Sequence, residues 1–320
     1  MNKILIVAII GLVISVAVFH GFKKKDNLPI VAIANYGRHS TLDASIAGLK
    51  KELEEQGFIE NKTVKYVIAD VGFDQSLIPQ MVTNLKNLKP KVIVVKSTPV
   101  AQFAKGKIKN IPLVFNDVTD PVEVGLIKDK TKPDGNMTGA SDTQDLNVFL
   151  TFAKSILPGA KTVGILYSSS ESNDIALIKK MREAAFRIGM AVIIVSIDQS
   201  RDIPIRMQEL KGKADFIYVG VSGIIQPSLP VIAQEAKKMD IPVFNAGDQA
   251  VRDGLVLASF GINYESVGRN AGKLVSQLLK GMDVEKLSPI YPTIQNHFGV
   301  INKSQAEKYK VKIPKNTELA

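Results

Sequence analysis

Two acidic turns in different halves of the chain carry side chains that are suited to holding a small molecule. The first lies within IPLVFNDVTDPVEVGL at residues 111–126 and contains Asp120, and the second lies within IPVFNAGDQAVRDGL at residues 241–255 and contains Asp248. Each turn follows a short apolar run, and α/β proteins hold ligands outside the carboxyl ends of parallel strands. A carboxylate at that place accepts hydrogen bonds from a ligand's ammonium or amide group. We therefore predict that Asp120 and Asp248 contact a bound small molecule.

The two segments match each other in register. Equivalent residues recur at identical offsets: Asn116 and Asn245, Val122 and Val251, and Gly125 and Gly254. An apolar run also precedes each copy, at 92–95 and at 216–219. A spacing kept over this length indicates two similarly built halves, and two such halves that face each other form a cleft.

Hydroxyl groups are concentrated in other loops that follow predicted strands. Ser97 and Thr98 precede Pro99, which suits the first turn of a helix, where free backbone N–H groups favour anions. We expect that turn to receive a carboxylate, and we expect the serine-rich run 168–173 and Ser222 to approach the ligand from the other half. Each residue alone could serve as an ordinary cap or turn residue. The prediction therefore rests on their shared placement.

The elements that must position these loops alternate between strand and helix. Apolar runs predict strands at 30–34, 64–69, 92–95, 113–115, 162–167, 191–197, 215–219 and 242–244, and helical apolar stripes lie between them. This alternation is typical of βαβ units and parallel sheets, so the predicted class is α/β. Residues 137–142 are interpreted as the crossing from one half to the other, and the last strands, up to residue 301, complete the existing sheets.

Composition and missing motifs exclude several classes of function. The 320 residues contain no cysteine, which excludes disulfides, thiolate nucleophiles and cysteine metal sites. The net charge is +10, yet the lysines are interleaved with acidic residues, so nucleic acid is not an expected partner. The motifs of dinucleotide-binding proteins, P-loop proteins and serine hydrolases are missing. His39 lies in a strand-to-helix loop and is expected to contact ligand rather than act as a base, and no metal or cofactor is expected.

The N-terminus carries a targeting signal. Lys3 is followed by an uncharged apolar run at 4–19 and then by three lysines at 23–25. The run is near the upper length for a signal peptide and slightly short for a spanning helix. Residues 1–27 are therefore predicted to be a signal peptide or a membrane anchor with a linker. The lysines after the run favour the opposite orientation, so the expectation of export rests on the ligand-binding character of the rest.

A series of motifs occurs in an order that is specific. The motifs are TPVAQ at 98–102, IPLVFNDVTDPVEVGL at 111–126, GNMTGASD at 135–142, VGILY at 163–167, IPVFNAGDQAV at 241–251 and VGRNAG at 267–272. In this order they resemble the ABC transporter substrate-binding protein family that includes the tryptophan/tyrosine-type binding proteins. The resemblance covers nearly everything from residue 30 to residue 302.

The resemblance implies a type I periplasmic-binding-protein fold, with two Rossmann-like lobes of parallel sheet joined by a three-strand hinge. Lobe 1 would comprise residues 28–141 and 262–285, and lobe 2 would comprise residues 142–261 and 286–302. Residues 303–320 would form a C-terminal tail.

The resemblance also implies an extracytoplasmic, periplasmic receptor without chemistry of its own. Such a protein binds a small amino acid-like solute, aromatic amino acids included, by hinge closure. It acts as a monomer and delivers the solute to an inner-membrane ABC permease with a separate ATPase subunit. Together with the loop arguments above, the expected ligand-binding residues are Tyr36, His39, Ser97, Thr98, Thr119, Asp120, Ser141, Asp142, Ser169, Asn173, Ser222 and Asp248. Tyr36, Phe103 and Tyr167 are expected to form apolar walls.

Two alternatives stay open at this point. One is a membrane-anchored ligand-sensing domain of the same fold, which retains the apolar N-terminus and couples to a signalling partner. The other is an α/β enzyme that uses Asp120 and Asp248 as paired carboxylates. The missing nucleophile and cofactor loop count against the enzyme.

Overall fold

The computed structural model describes residues 28–315 and 317–320. The predicted signal or anchor at 1–27 therefore lies outside the described residues. Within the described part of the chain, every helix is too short or too polar to cross a bilayer.

Strands and helices alternate through most of the chain, as the sequence predicts. The strands are β1 Ile30–Asn35, β2 Lys65–Asp70, β3 Val92–Lys96, β4 Leu113–Val118, β5 Met137–Ser141, β6 Thr162–Tyr167, β7 Ala191–Ser196, β8 Phe216–Val219, β9 Val243–Asn245, β10 Ala258–Ile262, β11 His297–Ile301 and β12 Glu318–Leu319. The helices are α1 Ser40–Glu55, α2 Ile78–Asn87, α3 Thr98–Lys107, α4 Leu146–Ile156, α5 Ser172–Arg187, α6 Ile203–Arg206, α7 Leu229–Met239, α8 Gln249–Arg252, α9 Tyr264–Leu279 and α10 Lys303–Lys308.

The strands form two sheets, and each sheet is the centre of one lobe. The first sheet has the order β2-β1-β3-β4-β5, and its strand pairs are all parallel. The second has the order β12-β11-β10-β9-β8-β6-β7, with β11 antiparallel to β10. The run β7-β6-β8-β9-β10 repeats the order of the first sheet. The prediction of an α/β chain with two similarly built halves is therefore confirmed.

The matched segments adopt the same turn in both lobes. Gly125 and Gly254 have φ angles of 73° and 74°. The next residue closes each turn, because the N–H of Leu126 donates to the Pro121 carbonyl at 2.8 Å and that of Leu255 to the Ala250 carbonyl at 3.0 Å. The repeat in sequence is thus a repeat in backbone geometry.

Three crossings join the lobes. The chain crosses after β5, again between β10 and α9, and a third time between Ile290 and β11. Ile290 still pairs with the first sheet, because its N–H donates to Gly139 at 2.8 Å and its carbonyl accepts from Ser141 at 2.9 Å. The third crossing therefore begins after residue 290, five residues beyond the end of the first lobe inferred from sequence.

The segment after Asn302 is more ordered than a polar tail. It forms α10, whose Ala306 is buried, and β12, which pairs in parallel with β11. The apolar contact of Ala306 with the core of the second lobe is the physical reason.

Helices α1 and α9 of the first lobe pack unusually closely, and this fixes the start of α1 near the hinge. A Cβ atom on Gly268 would lie 1.9 Å from the Ser45 carbonyl oxygen, and one on Gly48 would lie 2.0 Å from that of Glu265. Only glycine allows this approach of the two backbones.

We expect Gly125→Ala and Gly254→Ala each to destabilise the protein by about 1 kcal/mol, because an L side chain at positive φ is strained. Gly106→Ala in α3 is the control, since a Cβ there also meets open space but the backbone is helical. That change should stabilise by roughly 0.5–1 kcal/mol. Urea unfolding midpoints would test this, and a shift in the same direction for all three variants would contradict it.

Candidate functional site

A cleft between the lobes, here called the interlobe cleft, is lined by residues of both lobes and of the hinge. It lies at the carboxyl ends of the strands in both sheets. Eight of the twelve residues predicted to bind ligand line it: Tyr36, His39, Ser97, Thr98, Thr119, Asp142, Asn173 and Ser222. The structure thus brings together loops that are far apart in sequence.

The other four predicted residues lie outside the lining of the interlobe cleft. Asp120 forms an ion pair with Lys180 at 2.5 Å, and Asp248 pairs with Arg252 in α8 at 2.9 Å. Ser141 is buried in the hinge, where its hydroxyl donates to the Val118 carbonyl at 2.7 Å, and Ser169 is exposed. The predicted walls Phe103 and Tyr167 do not line it either; Phe103 packs against the core of the first lobe.

The first lobe presents two helix N-termini to the interlobe cleft. Helix α1 begins after His39 and helix α3 after Ser97, and neither cap side chain accepts a hydrogen bond from the backbone N–H groups of its helix. The first backbone N–H groups of a helix lack partners within the helix, so an uncapped start can receive an anion. Thr41 and Thr98, both buried, add hydroxyl groups at these two places, and the Thr41 hydroxyl lies 2.8 Å from Nδ1 of His39.

The second lobe and the hinge present carboxylates. Glu171 is buried and accepts hydrogen bonds from the Gly223 N–H at 2.9 Å and, across the interlobe cleft, from the Tyr36 hydroxyl at 3.3 Å. Asp174 is buried behind it and accepts from the Ser168 N–H at 2.7 Å. Asp142 is buried in the hinge, and its Oδ1 atom has no hydrogen-bond partner.

Burial shifts the protonation of these acids. It raises the pKa of Asp142 to about 7, with repulsion from Asp117 adding to the effect. It raises the pKa of Asp174 to about 8, helped by Glu171, and it also raises the pKa of Glu171. His39 responds in the opposite way, since burial and nearby Lys96 lower its pKa to about 4. The imidazole is therefore neutral near pH 7 and does not balance the acids.

The lysines closest to the site are already paired. Lys96 is buried and forms an ion pair with Asp117, whose carboxylate also accepts from the Ser45 hydroxyl at 2.6 Å. Lys180 pairs with Asp120. Among the described residues, Asp142, Glu171 and Asp174 have no lysine, arginine or histidine at ion-pair distance, so the acidic side of the interlobe cleft lacks a counter-charge.

Sequence reasoning missed several residues that line the interlobe cleft. They are Thr41, Leu42, Phe73, Pro99, Asp117, Glu171, Val221, Gly223 and Tyr264. Phe73 lies edge-on to Tyr36, with ring centroids 5.4 Å apart, and stacks on His39 at 5.8 Å. Asp117 has a φ of 56°, and that left-handed conformation sets the direction of its side chain in the turn. A signal for Asp117 existed in the acidic turn itself. Glu171 lies within the serine-rich run 168–173 that was expected to approach the ligand, but nothing in the sequence singled it out.

The two lobes touch across the mouth of the interlobe cleft. Besides the contact between Tyr36 and Glu171, the Ser172 hydroxyl donates to Gln102 at 3.1 Å, and Lys179 pairs with Glu123 at 2.7 Å. These contacts join α5 of the second lobe to α3 and the β4 turn of the first. The structure is a closed arrangement of the lobes.

The model of one protein family, described as ABC transporter substrate binding protein, matches residues 30–319. The chain belongs to this family. A relative from Clostridioides difficile described as a tyrosine-binding protein is 31% identical over 262 residues, covering 82% of this chain and 75% of the relative.

Solved structures of similar proteins support the fold. A domain from Streptococcus pneumonia in complex with L-Trp is 26% identical, with a TM-score of 0.86 over 92% of this chain and 100% of that one. A ligand-free, open substrate-binding protein from Clostridium difficile is 29% identical, with a TM-score of 0.70 over 92% and 99% of the two chains. The better match to the ligand-bound structure agrees with the closed arrangement. The predicted type I periplasmic-binding-protein fold of the family is confirmed.

We expect Asp142→Asn to raise the melting temperature of the ligand-free protein at pH 8 and to change it little near pH 4. The folded pKa of about 7 exceeds the ordinary value of 3.8, so the folded protein retains a proton that the unfolded chain releases. The stability linked to that proton is present below the ordinary pKa and is lost as the pH rises through the folded pKa. Thermal unfolding from pH 4 to pH 8 measures the difference.

Asp145→Asn is the control with the opposite sign. Partial burial acts against it, but hydrogen bonds from Asn147 and from the N–H of Val148 lower the pKa of Asp145. Its contribution is present above the ordinary pKa and is lost as the pH falls. Identical pH profiles for wild type and Asp142→Asn would contradict the assignment.

Proposed function

We propose that this chain is the extracytoplasmic solute-binding component of an ABC importer, and that it carries an amino acid between its lobes. The observation that supports this proposal most directly is the polarity of the interlobe cleft. One side offers uncapped helix N-termini, and the other offers buried carboxylates without counter-charges. A zwitterion with a carboxylate at one end of its head group and an ammonium at the other matches both sides.

The carboxylate of the ligand is assigned to the first lobe. The free N–H groups at the starts of α1 and α3 donate to it, and the hydroxyls of Thr41 and Thr98 lie beside them. Helix N-termini stabilise anions because the backbone dipoles and the unpaired N–H groups act together. A basic side chain is not needed for this contact, which fits the pairing of Lys96 with Asp117.

The ammonium of the ligand is assigned to Asp142, with Asn173 and Glu171 beside it. An ammonium has three N–H donors and needs several acceptors. Asp142 and Asn173 each have a buried side-chain oxygen without a hydrogen-bond partner, and Glu171 is buried with a raised pKa. A cation at this place lets the acids ionise, so ligand binding removes an energetic penalty of the closed state.

Closure is the step that follows from a ligand of this kind. The residues assigned to the ligand carboxylate belong to the first lobe, and those assigned to its ammonium belong to the hinge and the second lobe. The ligand therefore contacts both sets only when the lobes are closed. We infer that the closed protein then meets an inner-membrane permease, which works with a separate ATPase subunit. The protein would act in the periplasm as a monomer, exported or tethered by its N-terminal segment, and release the solute unchanged.

Relatives narrow the class of solute. The relative from Clostridioides difficile is described as binding tyrosine, and the domain from Streptococcus pneumonia is in complex with L-Trp. We extend this to aromatic amino acids for the present chain. The enzyme alternative loses its basis, because neither Asp120 nor Asp248 lines the interlobe cleft and each is held by its own cation.

Aromatic L-amino acids should raise the melting temperature of the protein and bind in calorimetry without being consumed. Asp142→Asn should weaken the affinity for phenylalanine about 10- to 100-fold, since a hydrogen bond to a charged group contributes roughly 1.5–3 kcal/mol. The same variant should change the affinity for 3-phenylpropionate far less, because that analogue has no ammonium.

Asp248→Asn is the control, because Asp248 is an acid that follows a strand of the second lobe, pairs with Arg252 and lies outside the interlobe cleft. It should leave the affinity for phenylalanine unchanged. If no amino acid binds the wild type, the proposal is wrong. If Asp142→Asn lowers the affinities for phenylalanine and for 3-phenylpropionate by the same factor, the assignment of the ammonium to Asp142 is wrong.

A further inference from the structure

A second cavity, here called the side chamber, opens from the interlobe cleft into the second lobe. It shares Thr119, Asn173 and Val221 with the interlobe cleft. The three shared residues, here called the passage, line both cavities. A molecule held in the interlobe cleft therefore lies next to the side chamber.

The inner walls of the side chamber are apolar. Leu146 comes from α4, Leu177 from α5, Tyr218 from β8 and Ala246 from the loop after β9, and all four side chains are buried. Phe149 packs behind the Tyr218 ring with the ring centroids 4.5 Å apart, so this wall is backed by a packed aromatic core. Such walls favour an apolar group over water.

Gly220 keeps one wall of the side chamber free of a side chain. A Cβ atom there would lie 2.5 Å from a methyl carbon of Leu177, so a larger residue would push Leu177 away from its place. A glycine just after a strand also lets a ligand approach the backbone closely. The flat space beside it suits a planar or compact apolar group.

The polar groups deep in the side chamber already have partners. The Tyr218 hydroxyl donates to Gln144 at 3.2 Å, and the amide of Gln144 donates to the Ala246 carbonyl at 3.1 Å. Lys180 at the rim pairs with Asp120. By contrast, the free acceptor on Asn173 lies at the passage to the interlobe cleft. The buried Asp174 also lines the side chamber, and its two carboxylate oxygens accept from the Ser168 N–H at 2.7 Å and from the Asn173 amide at 3.3 Å. The acceptor left without a partner is thus the Asn173 oxygen at the passage.

The ring cluster in the interlobe cleft is a poorer place for an apolar group. Tyr36, Phe73 and His39 are packed on one another, and the rest of that lining is dominated by hydroxyl and carboxyl groups. The two cavities therefore divide polar and apolar chemistry between them.

We propose that the side chamber takes the side chain of the amino acid whose head group is held in the interlobe cleft. The chamber selects bulky apolar and aromatic side chains over small ones. This inference rests on the proposed function, since it needs an amino acid in the interlobe cleft.

Ala246→Leu tests it, because Ala246 lines the side chamber and is not among the residues assigned to the head group. Calorimetry would compare phenylalanine and leucine with alanine and serine. The wild type should bind the bulky ligands at least 10-fold more tightly, since burial of a large apolar side chain is worth roughly this much. In the variant, the affinity for the bulky ligands should fall about 10-fold or more, and the affinity for the small ligands should stay unchanged.

Leu177→Ala and Leu150→Ala provide the second comparison. Leu177 lines the side chamber, whereas Leu150 is buried in the same core and lies outside the lining. Both changes should lower the melting temperature, but only Leu177→Ala should change the ratio of tryptophan to leucine affinity, by about threefold or more. This comparison holds even if Ala246→Leu fails to fold.

The outcomes separate this inference from the proposed function. Selective loss of bulky ligands supports the side chamber. Equal loss for bulky and small amino acids in Ala246→Leu, or equal affinity ratios in the two leucine variants, overturns it while amino-acid binding stands. Binding of no amino acid by the wild type overturns the proposed function, and this inference falls with it.

Discussion

The closed lobes bury more carboxylate than the protein itself balances. Asp142, Glu171 and Asp174 lie within the closed site, while the nearby Lys96 and Lys180 are committed to Asp117 and Asp120. Burying an ionised group without a partner is costly, and the raised pKa values of these acids are the response to that cost. The closed state is therefore incomplete on its own. Under the proposed function a ligand cation completes it, so the energy that opposes closure and the energy that holds the ligand would come from the same groups.

The charge of the whole chain hides this local imbalance. A net charge of +10 describes surfaces where lysines meet solvent and acidic neighbours, such as Lys179 with Glu123. The anion-binding side of the site needs none of these lysines, because two helix N-termini supply the donors. Rigid backbone groups also lose less entropy on binding than a long basic side chain. The overall charge is thus a poor guide to the chemistry of the interlobe cleft.

Sequence patterns were sufficient to predict the fold, because a continuous apolar run marks a buried strand wherever it occurs in the chain. The apolar runs at β1, β3 and β4 are buried on both faces, and the match around Asn116 and Asn245 is a repeated strand and turn. Loop residues beside strand ends, such as Thr98 and Asn173, could be placed in the same way. The run that contains Glu171 was placed near the ligand too, but Glu171 itself could not be singled out, because its contacts are with Gly223 and Tyr36 from distant segments. Asp120 and Asp248 misled because each sits in the right turn but pairs with a nearby cation.

The duplication explains how one fold can provide both a polar and an apolar cavity. The sheet registers pair Lys96 with Asn116 and Val219 with Asn245, so the following residues correspond between lobes. Ser97, Thr98 and Asp117 of the first lobe then occupy the positions of Gly220, Val221 and Ala246 of the second. The first three line the interlobe cleft, and the last three line the side chamber.

Equivalent backbone positions thus carry hydroxyl and carboxyl groups in one lobe and only hydrogen or hydrocarbon in the other. Because the backbone frame is shared, the difference must come from side-chain chemistry. A molecule that satisfies both sets at once has a charged head and an apolar body, and it spans the boundary between the two halves of the repeat. The proposed ligand, with a charged head and an apolar body, therefore matches two sets of strand ends that share a backbone frame but differ in side-chain chemistry.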